Sequence, residues 1–213
     1  MKASDRAYAT LLDEIQGGSL APGTVLAEVE QSERLGVSRT PFREALARLS
    51  SDGLVVQQSP RVTIVAPIDA DEIRRLFEAR RALEETTARI AATRGDHARF
   101  GALAEQLERA GENLGSASGR AAYYELVAEL DAAIDAAVDN DYLTSALRTI
   151  RTHLVRVRRL ASDHPDRLTA SVTEHVTIAL AIADGNADLA AHATHVHLHN
   201  ALTSILTYLP ENE

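Results

Sequence analysis

The order of apolar and polar residues divides the chain into two stretches with different patterns. Residues 1–67 combine short helical runs with two strand-like runs, whereas residues 68–213 are helical almost throughout. Pro67 stands between them, at a position where a missing backbone N–H favours a break. We therefore predict a mainly α protein with a small N-terminal domain at 1–67 and an all-helical domain at 68–213.

The first stretch predicts three helices and a hairpin. Apolar spacing places the helices at 4–17, 26–35 and 39–51, and Ser38 is a suitable N-cap for the third. The runs LVVQQ and RVTIV, on either side of Ser59-Pro60, predict two strands. This order is that of a winged helix-turn-helix. The inward positions of the second and third helices are predicted to be Leu26, Val29, Leu35, Phe42, Ala45, Leu46 and Leu49.

The second stretch predicts a bundle of six helices. Apolar residues recur at three- and four-residue spacing, interrupted by short segments rich in Gly, Asn, Asp and Pro. The breaks fall at Arg94-Gly95-Asp96, Gly111 to Gly119, Asn140-Asp141, Asp163-His164-Pro165 and Asp184-Gly185-Asn186. The helices are predicted at 69–94, 97–113, 120–139, 141–161, 166–184 and 187–208.

Composition limits the chemistry that is available. The formal net charge is −9, but residues 1–67 hold seven basic and eight acidic side chains, so most of the acidity lies in 68–213. A DNA-binding head would therefore use a local cationic patch. The absence of cysteine excludes disulfides and thiolate metal sites, so a metal would take nitrogen and oxygen ligands. No signal peptide or run of ~20 apolar residues is present, which predicts a cytoplasmic protein without membrane association.

The third helix has a polar face with the chemistry of base recognition. Opposite its apolar side stand Arg39, Thr40, Arg43 and Glu44. Two arginines one turn apart can reach phosphates and the O6/N7 edge of guanine, and Glu44 can accept from a cytosine amine or restrain Arg43. The alternative is an ordinary amphipathic helix whose polar face is only solvated.

Four ionisable residues fall on predicted apolar stripes: Arg80, Asp131, His175 and His197. Burying each alone would cost several kcal/mol. The four are therefore expected to share one polar cavity, although local pairing would explain each one singly. A carboxylate and two imidazoles can hold a divalent ion of the Zn, Ni or Mn type, and Arg80 can grip the carboxylate of a small effector.

Three further histidines, His192, His195 and His199, share a different face of the last helix. Their spacing permits adventitious metal binding. They are expected to face solvent or a subunit interface, while His197 points elsewhere.

The run LAEVEQSERLGVSRTPFREALARLSSDGLV at 26–55 resembles the helix-turn-helix of GntR-family regulators. That resemblance implies DNA contacts from Arg34, Arg39, Thr40 and Arg43, with Ser38 among the candidates. The family's wing tip usually carries a glycine that enters the minor groove. This chain has QQSPRVTIV there, with Arg61 as a candidate cationic wing tip.

The helical stretch resembles the FCD ligand-binding domain of FadR-type regulators. EIRRLFEARRALEETTARIAA is similar to its opening helix, with Arg80 matching a recurrent arginine. TEHVTIALAIADGNADLAAHATHVHLH places His175 and His197 on two of its metal histidines.

The remaining ligands of that family come from an E-L-D-x-x-F-H motif, for which two registers are open. The spacing to Asn140 puts Val127 in place of the aspartate and Asp131 in place of the histidine. A shift of four residues makes Asp131 the aspartate and Asp135 the histidine's replacement. We favour the first register because it preserves that spacing and keeps Asp131 on the apolar stripe.

These patterns predict a ligand-responsive transcriptional regulator, not an enzyme. Its expected partners are a palindromic double-stranded DNA operator, a second copy of the chain, and a small carboxylate effector. One alternative is a helical interaction or dimerisation regulator that has lost ligand sensing. The other is a metal-dependent hydrolase built on Asp131, His175 and His197.

Overall fold

The computed structural model describes residues 1–160 and 165–209, and backbone contacts divide it into two units. The first comprises Met1–Asp69 together with Arg151–Arg159. The second comprises Ala70–Ile150 and the described part of Leu160–Glu213. The predicted break at 163–165 lies outside the described residues, except for Pro165, which begins a helix.

The first unit contains the predicted winged helix-turn-helix elements. They are α1 (Ala3–Gly17), α2 (Glu28–Arg34), α3 (Arg39–Ser51), β1 (Val55–Ser59) and β2 (Val62–Val65). The core that holds them together consists of Leu11, Ile15, Leu26, Phe42, Leu49, Leu54, Val55 and Val65. Burial of these apolar side chains is the main force that fixes α3 against its neighbours.

Helix α2 differs from its prediction in which face it buries. The prediction that Val29 faces inward is wrong, because its side chain is 49% exposed. Gln31 and Ser32 are buried instead. Each residue turns the helix by about 100°, so Val29 lies on the side opposite Gln31. The Gln31 amide oxygen is satisfied there by the Arg34 Nε–H, at 2.8 Å.

The hairpin that forms the wing is fixed to the segment between α1 and α2. β1 and β2 pair antiparallel, with an irregularity between Gln57 and Ser59 next to the turn. The Leu26 N–H donates to the Thr63 carbonyl at 2.8 Å, and the Val65 N–H donates to the Thr24 carbonyl at 2.9 Å. These bonds extend the two-stranded sheet at its base and leave the turn at Pro60-Arg61 exposed.

The first unit also includes a segment that the sequence pattern assigned to the second domain. His153 lies within hydrogen-bond distance of the Asp52 carbonyl, 2.7 Å from its Nε2, and the buried Arg156 guanidinium donates to the Ala66 carbonyl. The Gln16 amide donates to the Thr152 carbonyl at 3.3 Å. Periodicity shows that a helix has a buried face, but it does not show which element that face contacts.

The rest of the described residues are mainly helical, as predicted, and each described bound lies within three residues of its prediction. The helices are α4 (Ala70–Arg94), α5 (His97–Gly111), α6 (Ala117–Val138), α7 (Asp141–Leu160), α8 (Pro165–Ala183) and α9 (Ala187–Tyr208). In the second unit α4 packs against α6, α8 and α9, and α8 packs against α5 and α9. In the part of the chain that the structure describes, no helix is long and apolar enough to span a membrane.

Candidate DNA-binding surface and sensor site

The outward face of α3 carries the residues predicted to contact DNA. Phe42, Ala45 and Leu49 are buried, so Arg39 and Arg43 are turned away from the core, with side chains that are 65% and 70% exposed. Ser38 lies at the N-cap position, as predicted, but its side chain makes no capping hydrogen bond. Thr40 is exposed between the arginines along the chain.

Both arginines of this face approach one carboxylate. The Nε–H of Arg43 donates to Oε2 of Glu28 at 2.9 Å, and Nε of Arg39 lies 3.9 Å from Oε1 of the same group. Glu28 is the first residue of α2, so it connects the two helices of the helix-turn-helix. The hydrogen bond and charge of Glu28 raise the pKa of Arg43, which therefore stays cationic. Sequence reasoning assigned no role to Glu28.

Arg34 and Arg61 differ in their surroundings. The two Nη groups of Arg34 donate to the two carboxylate oxygens of Glu14 at 2.6 and 2.7 Å. The hydrogen bond to Glu14 raises the pKa of Arg34. Arg61 stands exposed in the turn of the hairpin. Of the predicted DNA-contacting residues, Arg34 is thus the one most firmly held within the protein.

The predicted sensor residues occupy core positions in the second unit. Arg80, His175 and His197 are buried, and Asp131 is half-buried. The rings of His175 and His197 lie 4.4 Å apart between centroids, so α8 and α9 bring the two histidines together. Nδ1 of His175 lies 2.7 Å from the Tyr123 hydroxyl of α6.

Glu174 is the carboxylate that anchors the histidine pair. Its Oε2 lies 2.8 Å from Nδ1 of His197, and it also accepts two hydrogen bonds from Arg167 and one from Asn200. Burial alone would raise the pKa of Glu174, but the hydrogen bonds from His197, Arg167 and Asn200 outweigh it and lower that pKa to about 2. Glu174 is therefore ionised at neutral pH.

The charge state of His197 follows from the same surroundings. Burial, followed by the positive charge of Arg80, lowers its pKa against the raising effect of Glu174. The neutral imidazole donates its Nδ1–H to Glu174, which leaves the lone pair on Nε2. A neutral histidine held in this tautomer can accept a hydrogen bond at Nε2.

Arg80 has an internal partner one turn along α4. Its Nε and Nη2 donate to the two oxygens of Glu84 at 2.7 and 3.2 Å, and its guanidinium lies 4.6 Å from the Phe77 ring centroid. The i,i+4 spacing of Arg80 and Glu84 was a signal available in the sequence. Tyr123 gave no such signal, because a tyrosine on an apolar stripe is an ordinary core residue.

The metal site that the resemblance implies stays a prediction. No group of three or more His, Asp or Glu side chains in the described residues is arranged to hold a metal ion. Within the described residues, the rings of His175 and His197 lie side by side. Val127, which takes the place of the family's aspartate in the favoured register, is buried and has no donor atom.

A cleft of about 310 Å³ lies beside Glu174 and its partners Arg167 and Asn200. It is lined by Asp166, Arg167, Asn200, Thr203, Ser204, Thr207 and Tyr208. Arg167 and Asn200 thus face the cleft and also bind Glu174.

The remaining histidines of α9 follow their predicted orientation. His192 and His199 are exposed. His195 is half-exposed, and its Nδ1 lies 2.8 Å from Oε1 of Glu85.

The N-terminal part and the helical part of the chain each match a known protein family. Residues 3–65 match the family described as bacterial regulatory proteins, gntR family, and residues 75–200 match the FCD domain. The HTH-type transcriptional repressor RspR of Escherichia coli K12 is 26% identical over 96% of this chain and 90% of its own length. The Nta operon transcriptional regulator of Aminobacter aminovorans is 28% identical, with 87% of this chain and 86% of its own length covered.

Solved structures show the same fold. A putative GntR transcriptional regulator from Rhodococcus sp. RHA1 superposes with a TM-score of 0.72 at 22% identity, covering 96% of this chain and 97% of that one. Escherichia coli McbR/YncC gives 0.71 at 19% identity, with 97% and 98% covered. The chain belongs to the GntR family of bacterial regulatory proteins and carries an FCD domain as its second domain.

Proposed function

We propose that the protein is a homodimeric transcriptional regulator that reads an inverted-repeat operator with α3 and responds to a small carboxylate effector in its FCD domain. The observation that carries the proposal is the outward face of α3, where Arg39, Thr40 and Arg43 are exposed within a region that matches the gntR family model. The gntR family and the relatives named above are regulatory proteins, which supports a non-enzymatic role.

Base reading is assigned to Arg43, and backbone contact to Arg61. We expect Arg43→Ala to lose about 1–3 kcal/mol of selectivity, because a bidentate contact to guanine would be removed. Arg61→Ala should lower the affinity for every DNA sequence by a similar factor if the wing contacts only phosphate. The measurement is fluorescence anisotropy with a duplex selected by the wild-type protein from a random pool and with an unselected duplex. Equal losses on both duplexes for Arg43→Ala would contradict the base-reading role.

Effector recognition is assigned to Arg80. Glu84 already satisfies this buried guanidinium bidentately, so an effector carboxylate can take the same position by displacing Glu84. The neutral His197 nearby supplies an acceptor for a hydroxyl or protonated group of the same molecule.

A thermal-shift assay with acetate, lactate, succinate and citrate tests the assignment. At least one of them should stabilise the wild-type protein. Arg80→Met should abolish that shift, and His175→Ala should abolish the response while DNA binding is retained. If none of these acids stabilises the wild-type protein, the remaining interpretation is a regulator that has lost carboxylate sensing.

A further inference from the structure

The two arginines that α3 presents for DNA are not free cations, because one carboxylate lies between them. Glu28 uses both of its oxygens, Oε2 for the Nε–H of Arg43 at 2.9 Å and Oε1 toward Arg39 at 3.9 Å. Its own side chain is 30% exposed, so this arrangement lies at the surface that α3 offers to DNA. Any DNA bound there meets the carboxylate together with the arginines.

The atoms used in this contact determine what remains for DNA. Glu28 engages Arg43 through Nε. A bidentate contact to guanine O6 and N7 can be made by the two Nη groups of the same guanidinium, so it is compatible with the Glu28 bond. A phosphate is an anion and is repelled by the carboxylate, whereas a guanine edge is an uncharged acceptor. The Glu28–Arg43 ion pair therefore disfavours a phosphate contact more than it disfavours a guanine contact.

We propose that Glu28 is a specificity-determining residue of DNA binding, which holds Arg43 for guanine and lowers the affinity of α3 for the phosphate backbone. This inference rests on the proposed function, since it assigns a role within DNA recognition. It adds a second carboxylate to the reading surface, for which the sequence pattern indicated Arg39, Thr40, Arg43 and Glu44. Its expected signature is a change in the ratio of specific to non-specific affinity.

The test compares Glu28→Gln with Glu33→Gln. Both remove one negative charge from α2, but Glu33 is exposed and has no ion pair described within residues 1–160 and 165–209. Binding is measured on an unselected duplex and on a duplex selected by the wild-type protein, between about 50 and 200 mM salt. Urea unfolding of each variant checks that the head remains folded.

Glu28→Gln should bind the unselected duplex about two- to fivefold more tightly than Glu33→Gln, the range that an exposed ion pair is worth. The slope of the logarithm of its binding constant against the logarithm of salt concentration should become more negative by about 0.9 for each arginine that gains a phosphate contact. Affinity for the selected duplex should stay equal or fall, so that selectivity decreases. Glu28→Asp keeps the charge but shortens the reach, and should shift selectivity in the same direction.

The outcomes separate this inference from the proposed function. If the wild-type protein binds no duplex, the proposed function fails. If the wild-type protein binds selectively but Glu28→Gln behaves like Glu33→Gln on both duplexes, Glu28 acts only through net charge and the inference is overturned.

Discussion

At the scale of single residues, Glu174 connects three polar side chains beside the histidine pair. It accepts from Arg167 and Asn200, and it orients the His197 ring through Nδ1. The fold buries the His197 imidazole, which keeps it neutral, and the ionised Glu174 fixes which ring nitrogen carries the proton. The acceptor at Nε2 of His197 therefore depends on Glu174.

The stability of the protein should depend on Glu174 in a defined pH range. Its folded pKa of about 2 lies below its ordinary value of 4.5, so the stabilisation is complete above 4.5 and is lost as the pH falls towards 2. The lowered pKa of His197 acts in the same direction, beginning below 6.5, because the unfolded chain takes up that proton more readily.

The measurement is urea unfolding from pH 7 to pH 2 for wild type and Glu174→Gln. The free-energy difference between them should be largest at neutral pH and shrink between pH 4.5 and pH 2. Glu105→Gln, on an exposed side chain, serves as the matched control. A difference that stays constant over this range would mean that the carboxylate charge is not what stabilises the site.

Burial of polar residues was predictable from periodicity, but their partners were not. The apolar stripes of α4, α8 and α9 placed Arg80, His175 and His197 in the core, and all three are buried. Glu174 precedes His175 in the sequence, so it falls outside the stripe that identified the histidine. Its role depends on the register between α8 and α9, which periodicity within one helix does not contain.

At the scale of elements, α6 carries the main departure from the FCD metal motif. Restoring the motif in the favoured register requires Val127→Asp with Asp131→His. Because these changes supply two ligand types beside His175 and His197, the double variant should bind Zn²⁺ at least about tenfold more tightly than wild type.

Calorimetric titration with Zn²⁺ after chelator treatment measures this difference, and circular dichroism checks that the variant folds. Val127→Asn with Asp131→Asn provides a variant of similar polarity that lacks the ligands. Wild-type protein that already binds Zn²⁺ as tightly as the double variant would show that the register based on Asn140 is incorrect.

Helix α7 contributes to the N-terminal unit through its second half. Removing the imidazole with His153→Ala leaves the Asp52 carbonyl without this partner, at a cost of about 1 kcal/mol. Hydrogen exchange should rise in the Asp52 to Leu54 turn, while His199→Ala, on an exposed residue, should leave it unchanged. Unchanged exchange in His153→Ala would mean that this turn does not need α7.

Local sequence signals predicted where the helices begin and end. They did not predict which elements pack against each other. Asp96 accepts from the N–H groups of Ala98 and Arg99 at the start of α5, and Asn186 accepts from Leu189 at the start of α9. Such caps are visible in the sequence. The association of Arg151–Arg159 with the first unit involves residues far apart in the chain, which no local signal specifies.

At the scale of the whole molecule, charge and size both limit how one chain can bind DNA. Residues 68–213 hold fifteen basic and twenty-three acidic side chains, so the net charge of this part disfavours contact with DNA. The outward face of α3, in contrast, presents the exposed Arg39 and Arg43. A single recognition helix reads only a few base pairs. Two copies related by a two-fold axis would double both the base contacts and the cationic surface.

The last prediction follows from this limit. If the protein is a homodimer, an inverted repeat should bind at least about 100-fold more tightly than a single half-site, because the second head binds at a high effective concentration. Inserting about half a helical turn between the half-sites should abolish most of this gain, since it moves one half-site to the other side of the duplex. Sedimentation velocity gives the oligomeric state, and anisotropy with the three duplexes gives the affinities. A monomer that binds one half-site with full affinity would refute the prediction, because α3 of a single chain would then supply all the recognition.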